Sequence, residues 1–436
     1  MLMMKIKFHY IILAFFLLHQ HVYCLDNPEE FLSRRKLLSE KINDGVAVLM
    51  SAPVYIRNGD VEHDYRQESN FYYLTGFEEP KSAAIIDCVN SEFILFVQPE
   101  NPLTEIWTGK VHGTENAKKI FNADQCYETS KFEDKLKTYI SSGRKIYYLH
   151  SDKGLKKLIG SYGNVSDLKP VLSEMRLIKS EYEVSLLRKA IDITCDALID
   201  LMKKATPGMY EYQLQAVVEY NFRDRGSPRN GFPSIIGSGA NSCILHYTTN
   251  RRKTEDGDIV LTDVGAEFGY YTADITRTFP INGKFSYEQK VIYELVLKAQ
   301  KQAIEFIKPG IKFYQIDSIA RAVIKVGLVN LGILSPDENV MKYFMHGTSH
   351  WLGLDVHDAG SYNSPDGVRG GQILKPGMVL TVEPGIYISQ SSGADKKWHN
   401  IGVRIEDDIL VTENGYENLS VKVPKEISEI ESLMSE

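Results

Sequence analysis

The spacing of apolar residues divides the chain into two regions. From about Asn27 to Pro170, short apolar runs alternate with amphipathic segments. "GVAVLMSAP", "AAIIDCV", "EFILFVQ" and "KIYYLHS" are β-rich and bounded by Gly, Pro, Asn or Asp, so each predicts a strand. "EEFLSRRKLLSEKI", "TENAKKIFNA" and "FEDKLKTYISS" carry apolar residues at helical spacing. Strands interleaved with helices predict an α/β first domain over residues 25–175.

From Ser180 to Ala205 the period is that of a long amphipathic helix, with Val184, Leu187, Ile191, Leu198 and Leu201 among the apolar positions. It opens a second, α+β domain over residues 176–436 that contains an internal repeat. "ATPGMYEYQLQAVVEYNFRDRG" and "IKPGIKFYQIDSIARAVIKVGL" each set a Pro-Gly turn before an amphipathic helix, and each is followed by a Gly-rich segment with histidine, "GSGANSCILHY" or "MHGTSHWLG". Two similar halves facing each other across a cleft, where ligands tend to bind, are the expected arrangement.

Composition narrows the function. A chain of 436 residues, 43% hydrophobic and 25% charged, has the makeup of a soluble globular protein with large cores. Its net charge of -7, without a basic arm or a long run of like charge, speaks against nucleic acid as a partner. Cys24, Cys88, Cys126, Cys195 and Cys243 are scattered without a CxxC pair, and read as packing residues; Cys243, close to His246, is the one position where a reactive thiol is conceivable. Residues 1–24, "MLMMKIKFHYIILAFFLLHQHVYC", have the order of a secretory signal and an apolar run too short to span a bilayer, so export is expected; the alternative is an extension translated from a misplaced start. No later stretch approaches the roughly 20 apolar residues of a transmembrane helix.

Four carboxylates stand in or beside apolar runs, where an unpartnered charge is costly. Asp263 follows Ile259-Val260-Leu261, and Asp274 follows Tyr270-Tyr271, with the turn-like "VGAEFG" between them; a hairpin would bring both acids to one end of a sheet. Glu383 ends "GMVLTV", and in "NIGVRIEDDILVT" alternation sets Arg404 and Glu406 on the face opposite Ile401, Val403 and Ile405. Buried carboxylates need a cation or several donors. "HGTSHWLGLDVHD", His346 to Asp358, adds three histidines; it lacks the Glu of HExxH, and Gly347 argues against a regular helix. One imidazole with four carboxylates makes an oxygen-rich site that two divalent cations would neutralise, Mn²⁺ first, with Co²⁺, Fe²⁺ or Zn²⁺ as alternatives.

The motifs "LTDVGAEFGYYTADITRTFP", "HGTSHWLGLDVHD", "TVEPGIY" and "GVRIEDD", with "DYRQESNFYYLTGF" in the first domain, resemble in kind and order those of the aminopeptidase P (Xaa-Pro aminopeptidase) family of pita-bread metallopeptidases. The resemblance covers almost everything after residue 27. It implies that Asp263, Asp274, His350, Glu383 and Glu406 are the ligands of a dinuclear centre, with Asp274 and Glu406 bridging. It also implies that His246 and His357 contact the substrate, and that Arg404 and His346 support the ligands. Peptides with proline second are the implied substrates, and a homodimer or homotetramer the implied assembly, in which Trp107 either serves a neighbouring subunit's site or is a buried aromatic. Prolidase, which cleaves only Xaa-Pro dipeptides, is the nearest rival. Metal-free binding relatives of the same fold are disfavoured by the intact ligand positions.

Overall fold

The computed structural model describes residues 27–436, so the leader of residues 1–24 lies outside the described residues. The chain forms two compact units, which divide between Val171 and Leu172, inside the helix Lys169–Leu177.

In the first unit a six-stranded mixed sheet runs in the order Gln125–Glu128, Glu92–Val97, Ala83–Asp87, Gly45–Met50, Lys145–Tyr148, Val165–Asp167. The four predicted strands are its central four. Both faces are covered, which is why these strands read as continuous apolar runs. On one face Val46, Val48, Ile85, Ile94, Phe96 and Ile146 pack with Phe132 and Leu136 of the helix Phe132–Ser141 and with Leu155 and Ile159 of the helix Lys153–Ile159. The motif "DYRQESNFYYLTGF" is structural here: Glu68 caps the helix Ser69–Thr75 by accepting from Phe71 N at 2.7 Å, and Gly76 ends it at φ 67°. Buried Gln67 ties its two sides together, accepting from Ala52 N at 2.7 Å and donating to Phe77 O at 3.1 Å.

The expectation of a buried Trp107 is overturned. The short helix Pro102–Thr108 has no buried residue, and its stripe of Leu103, Ile106 and Trp107 faces solvent, Trp107 being 86% exposed.

In the second unit, the helix Glu181–Lys204 starts at a capping box of Ser180 and Glu183 and packs against Glu211–Asp224; Tyr287–Glu305 starts at a capping box of Ser286 and Gln289 and packs against Tyr314–Asn330. The turns between the helices of each pair use Gly208 at φ 93° and Gly310 at φ 91°, the same left-handed conformation at the same place in each half. After the first pair comes a sheet of Ile235–Ser238, Ile259–Val264 and Ile275–Pro280. After the second come Val379–Val382 with Asp407–Thr412 and Gly415–Asn418, and Gly385–Ile388 with Ile401–Arg404. The helical pattern from Ser180 is thus one continuous helix, and the repeat is visible in the backbone. Among the described residues no helix is long and apolar enough to cross a membrane.

Candidate active site

Asp263 sits near the end of the strand Ile259–Val264, opposite Thr276 of the antiparallel strand Ile275–Pro280. Asp274 lies two residues before Thr276, so the pleat turns both acids to one face. The connection is more elaborate than the single turn expected. Ala266–Phe268 and Tyr271–Thr272 form a small hairpin of their own, turning at Gly269 and Tyr270 with φ of 54° and 72°. Gly265 permits the branching, since a Cβ there would stand 1.8 Å from Ala273 O.

The second half delivers its carboxylates where strands end. Glu383 follows Val379–Val382, and its amide donates to Thr348 O at 2.8 Å, fixing it beside the histidine loop. Arg404 and Glu406 flank a break between Ile401–Arg404 and Asp407–Thr412. Thr276 joins the halves there: its carbonyl accepts from Glu406 N at 3.1 Å, and its hydroxyl donates to Glu406 Oε2 at 2.6 Å and accepts from Arg404 Nε at 3.2 Å.

These residues converge. Ligand atoms of Asp274, His350 and Glu406 all lie within 4.8 Å of one another. His350 Nε2 is 3.2 Å from Asp274 Oδ2 and 3.5 Å from Glu383 Oε1. Its other nitrogen, Nδ1, lies 3.0 Å from Trp351 O, an acceptor only, so the proton sits on Nδ1 and the Nε2 lone pair faces the carboxylates. Acceptors meeting acceptors in a buried place need a cation between them. Asp263 offers a further one: Oδ2 accepts from Arg404 Nη2 at 2.5 Å, while Oδ1 is buried without a partner.

The electrostatics agree. Burial, then the charges of Glu406 and Asp263, raises the Asp274 carboxyl well above its ordinary range. Burial, then Glu383 and Asp263, does the same to Glu406, and burial pushes Glu383 up to about 8 against the pull of Arg404. Burial lowers His350 to about 3, so its ring is neutral. Crowded oxygens with one neutral imidazole fit hard or borderline divalent cations.

His346 stands at the edge of this group, with Nδ1 3.7 Å from Glu383 Oε2. Burial lowers it to about 3 as well. Its Nδ1–H donates to Gly347 O at 2.8 Å, and its Nε2 accepts from Tyr387 OH at 2.7 Å, which in turn accepts from Arg404 Nη1 at 2.8 Å. Tyr387 and Thr276 therefore link the predicted residues although sequence reasoning did not single them out; both lie inside motifs quoted above, which was the available signal. His246 and His357 are exposed and line, with the carboxylate–histidine cluster, a cavity of about 850 Å³ whose other walls include Phe232, Pro233, Leu245, Val356 and Tyr362. The His357 ring lies 4.3 Å from that of His350. Cys243 takes no part: burial pushes its thiol up to about 11.

Comparison with known proteins places this geometry. Residues 185–413 match the model of metallopeptidase family M24, and residues 31–147 that of the aminopeptidase P N-terminal domain. A Xaa-Pro aminopeptidase of Haemophilus influenzae is 41% identical over 93% of this chain and 97% of its own, and one of Escherichia coli is 39% identical over the same shares. Aminopeptidase P from E. coli, solved with the inhibitor Pro-Leu, superimposes with a TM-score of 0.88 at 37% identity, covering 94% of this chain and 98% of that one. Aminopeptidase PepP of Pseudomonas aeruginosa gives 0.88 at 40% identity over the same shares. With likeness of this extent in both units, and a buried carboxylate–histidine cluster suited to divalent ions, the chain belongs to the Xaa-Pro aminopeptidases of metallopeptidase family M24.

Proposed function

We propose that the chain releases the first residue from peptides with proline in second place, and that Asp263, Asp274, His350, Glu383 and Glu406 would hold two divalent ions, Mn²⁺ foremost. The observation that carries the reading is the His350 Nε2 lone pair aimed at Asp274 and Glu383 from 3.2 and 3.5 Å. When bound, such ions lower the pKa of water and polarise a carbonyl.

The chain's own residues do the rest. Glu383, within reach of both His346 and His350, takes the proton of the attacking water at a carboxylate oxygen and returns it to the proline nitrogen as the bond from the carbonyl carbon to that nitrogen breaks. Arg404 anchors Asp263 directly and His346 through Tyr387, so that the acids keep their places as charge develops. His246 and His357, on the cavity wall, donate to the carbonyl oxygen as it becomes negative. The apolar wall of Phe232, Pro233 and Val356 suits a proline ring, which lacks the amide N–H that general peptidases grip. The exposed stripe of Leu103, Ile106 and Trp107 supports association into dimers or tetramers, readable by sedimentation.

Hydrolysis of Xaa-Pro-Xaa tripeptides with and without added Mn²⁺ tests the reading. Release of the free first residue is expected, with a matched Xaa-Ala-Xaa peptide a poor substrate. Preference in kcat/KM for Xaa-Pro dipeptides over tripeptides would make the enzyme a prolidase instead.

A further inference from the structure

The His246 ring is exposed, so the course of its loop decides where it points. That loop is folded around a single carboxylate from another element. Glu211, the first residue of the helix Glu211–Asp224, is wholly buried. Its Oε1 accepts from Ser238 N at 2.8 Å, Ser238 Oγ at 2.7 Å and Asn241 Nδ2 at 3.0 Å; its Oε2 accepts from Tyr247 OH and Arg252 N, both at 2.8 Å. The donors come from both sides of His246, one of them from the residue next to it. Neighbouring Asn250, also buried, donates to Gln215 Oε1 on the same helix at 2.9 Å. The second half repeats the device. Gln215 aligns with Asp317 when the two Pro-Gly segments are superposed, and Asp317 Oδ1 accepts from Thr348 N at 3.1 Å and Thr348 Oγ1 at 2.8 Å, between His346 and His350.

We propose that Glu211 is a positioning residue that sets where His246 meets the substrate carbonyl. The proposal rests on the reading of His246 given above. A buried acid that gathers five donors costs little to bury and leaves the loop one conformation. An ångström of error in a group that meets the reacting atoms is enough to cost on the order of a hundredfold in rate.

A double-mutant cycle with Glu211→Gln and His246→Ala, run on the metal-loaded full chain, is the test. E211Q keeps the shape but turns an amide donor toward the loop's donors. In the parent it should lower kcat/KM on the order of ten- to a hundredfold, mainly through kcat, with metal content unchanged. In H246A it should lower it no further, because the residue it acts through is gone. Equal losses in both backgrounds, or loss of metal, would show that Glu211 only holds the fold and would overturn the proposal. Full kcat/KM in H246A alone would sink the reading of His246 and the proposal with it, whereas an impaired H246A with a neutral E211Q sinks the proposal alone. If E211Q does not fold, Tyr247→Phe, which removes one donor from Glu211, runs the same cycle with the same expectations.

Discussion

Asp358 closes the histidine motif, and its carboxylate is held by cations of the chain itself. Its carboxylate lies between Arg176 and Lys179, with Lys179 Nζ at 3.0 Å, and all three side chains are at most 2% exposed. Gly353 leaves it room, since a Cβ there would meet Asp358 Oδ2 at 2.2 Å. Replacing Asp358 by Asn keeps the volume and leaves two buried cations facing an amide. Breaking a buried pair in this way costs about 3–5 kcal/mol, which for a unit of this size lowers Tm by roughly 6–20 °C. Tryptophan fluorescence is the assay, because Trp351 and Trp398 are buried in the second unit while Trp107, in the first, is already exposed. Asp355→Asn is the control: Asp355 also pairs with Arg176, at 2.7 Å, but is 43% exposed, and such pairs are worth about 1 kcal/mol or less. The pH dependence has a definite sign. Burial alone would raise the Asp358 carboxyl, but Arg176 and Lys179 outweigh it and hold it below the ordinary range. A depressed carboxyl contributes stability above its unfolded pKa of about 3.9, and that contribution is lost as pH falls through the folded value. The gap between parent and D358N should therefore be constant from about pH 5 to 8 and close only in stronger acid. A D358N protein melting within about 2 °C of the parent at pH 7 would refute the reasoning.

Asp274→Asn should lose metal by elemental analysis and all turnover, since a neutral amide cannot serve two cations; normal metal content with normal activity would remove Asp274 from the ligand set. His357→Ala should keep its metal while kcat/KM falls about tenfold or more, the loss expected for one oxyanion donor, and loss of metal there would make His357 a ligand. Metal binding at pH 7 should acidify a weakly buffered solution by at least about one proton per chain, because burial holds Glu383 up to about 8 and raises Asp274 and Glu406 in the metal-free cluster. A carboxyl so raised keeps its proton below the shifted value and sheds it above, so release shrinks and affinity grows as pH climbs past it; metal uptake at pH 7 without proton release would contradict this.

Some of this was legible in the sequence because it is periodic or local. The central strands of the first unit, the long helix from Ser180 and the paired Pro-Gly turns follow from residue spacing and φ preference. The convergence of Asp263, Asp274, His350, Glu383 and Glu406 follows from the motifs only through a family resemblance; the alternation alone could not show that the run from Asn400 breaks after Arg404. The rest depends on partners far apart in the chain. Thr276 is 130 residues from Glu406, and Tyr387 is 41 from His346, so no window reveals either bond. Trp107 misled for a related reason: an aromatic reads by default as core, and nothing local says that the helix carrying it has no buried residue.

The division of the acids between the two halves bears on what would take the cluster apart. Asp263 and Asp274 come from the first half, while His350, Glu383 and Glu406 come from the second, and Arg277 of the first half holds the Glu406 carbonyl. A cut anywhere between Asp274 and His350 would divide the two sets, and neither fragment would carry the whole carboxylate–histidine group. The cluster therefore exists only while both halves are held together, and its integrity reports on the fold of the whole second unit.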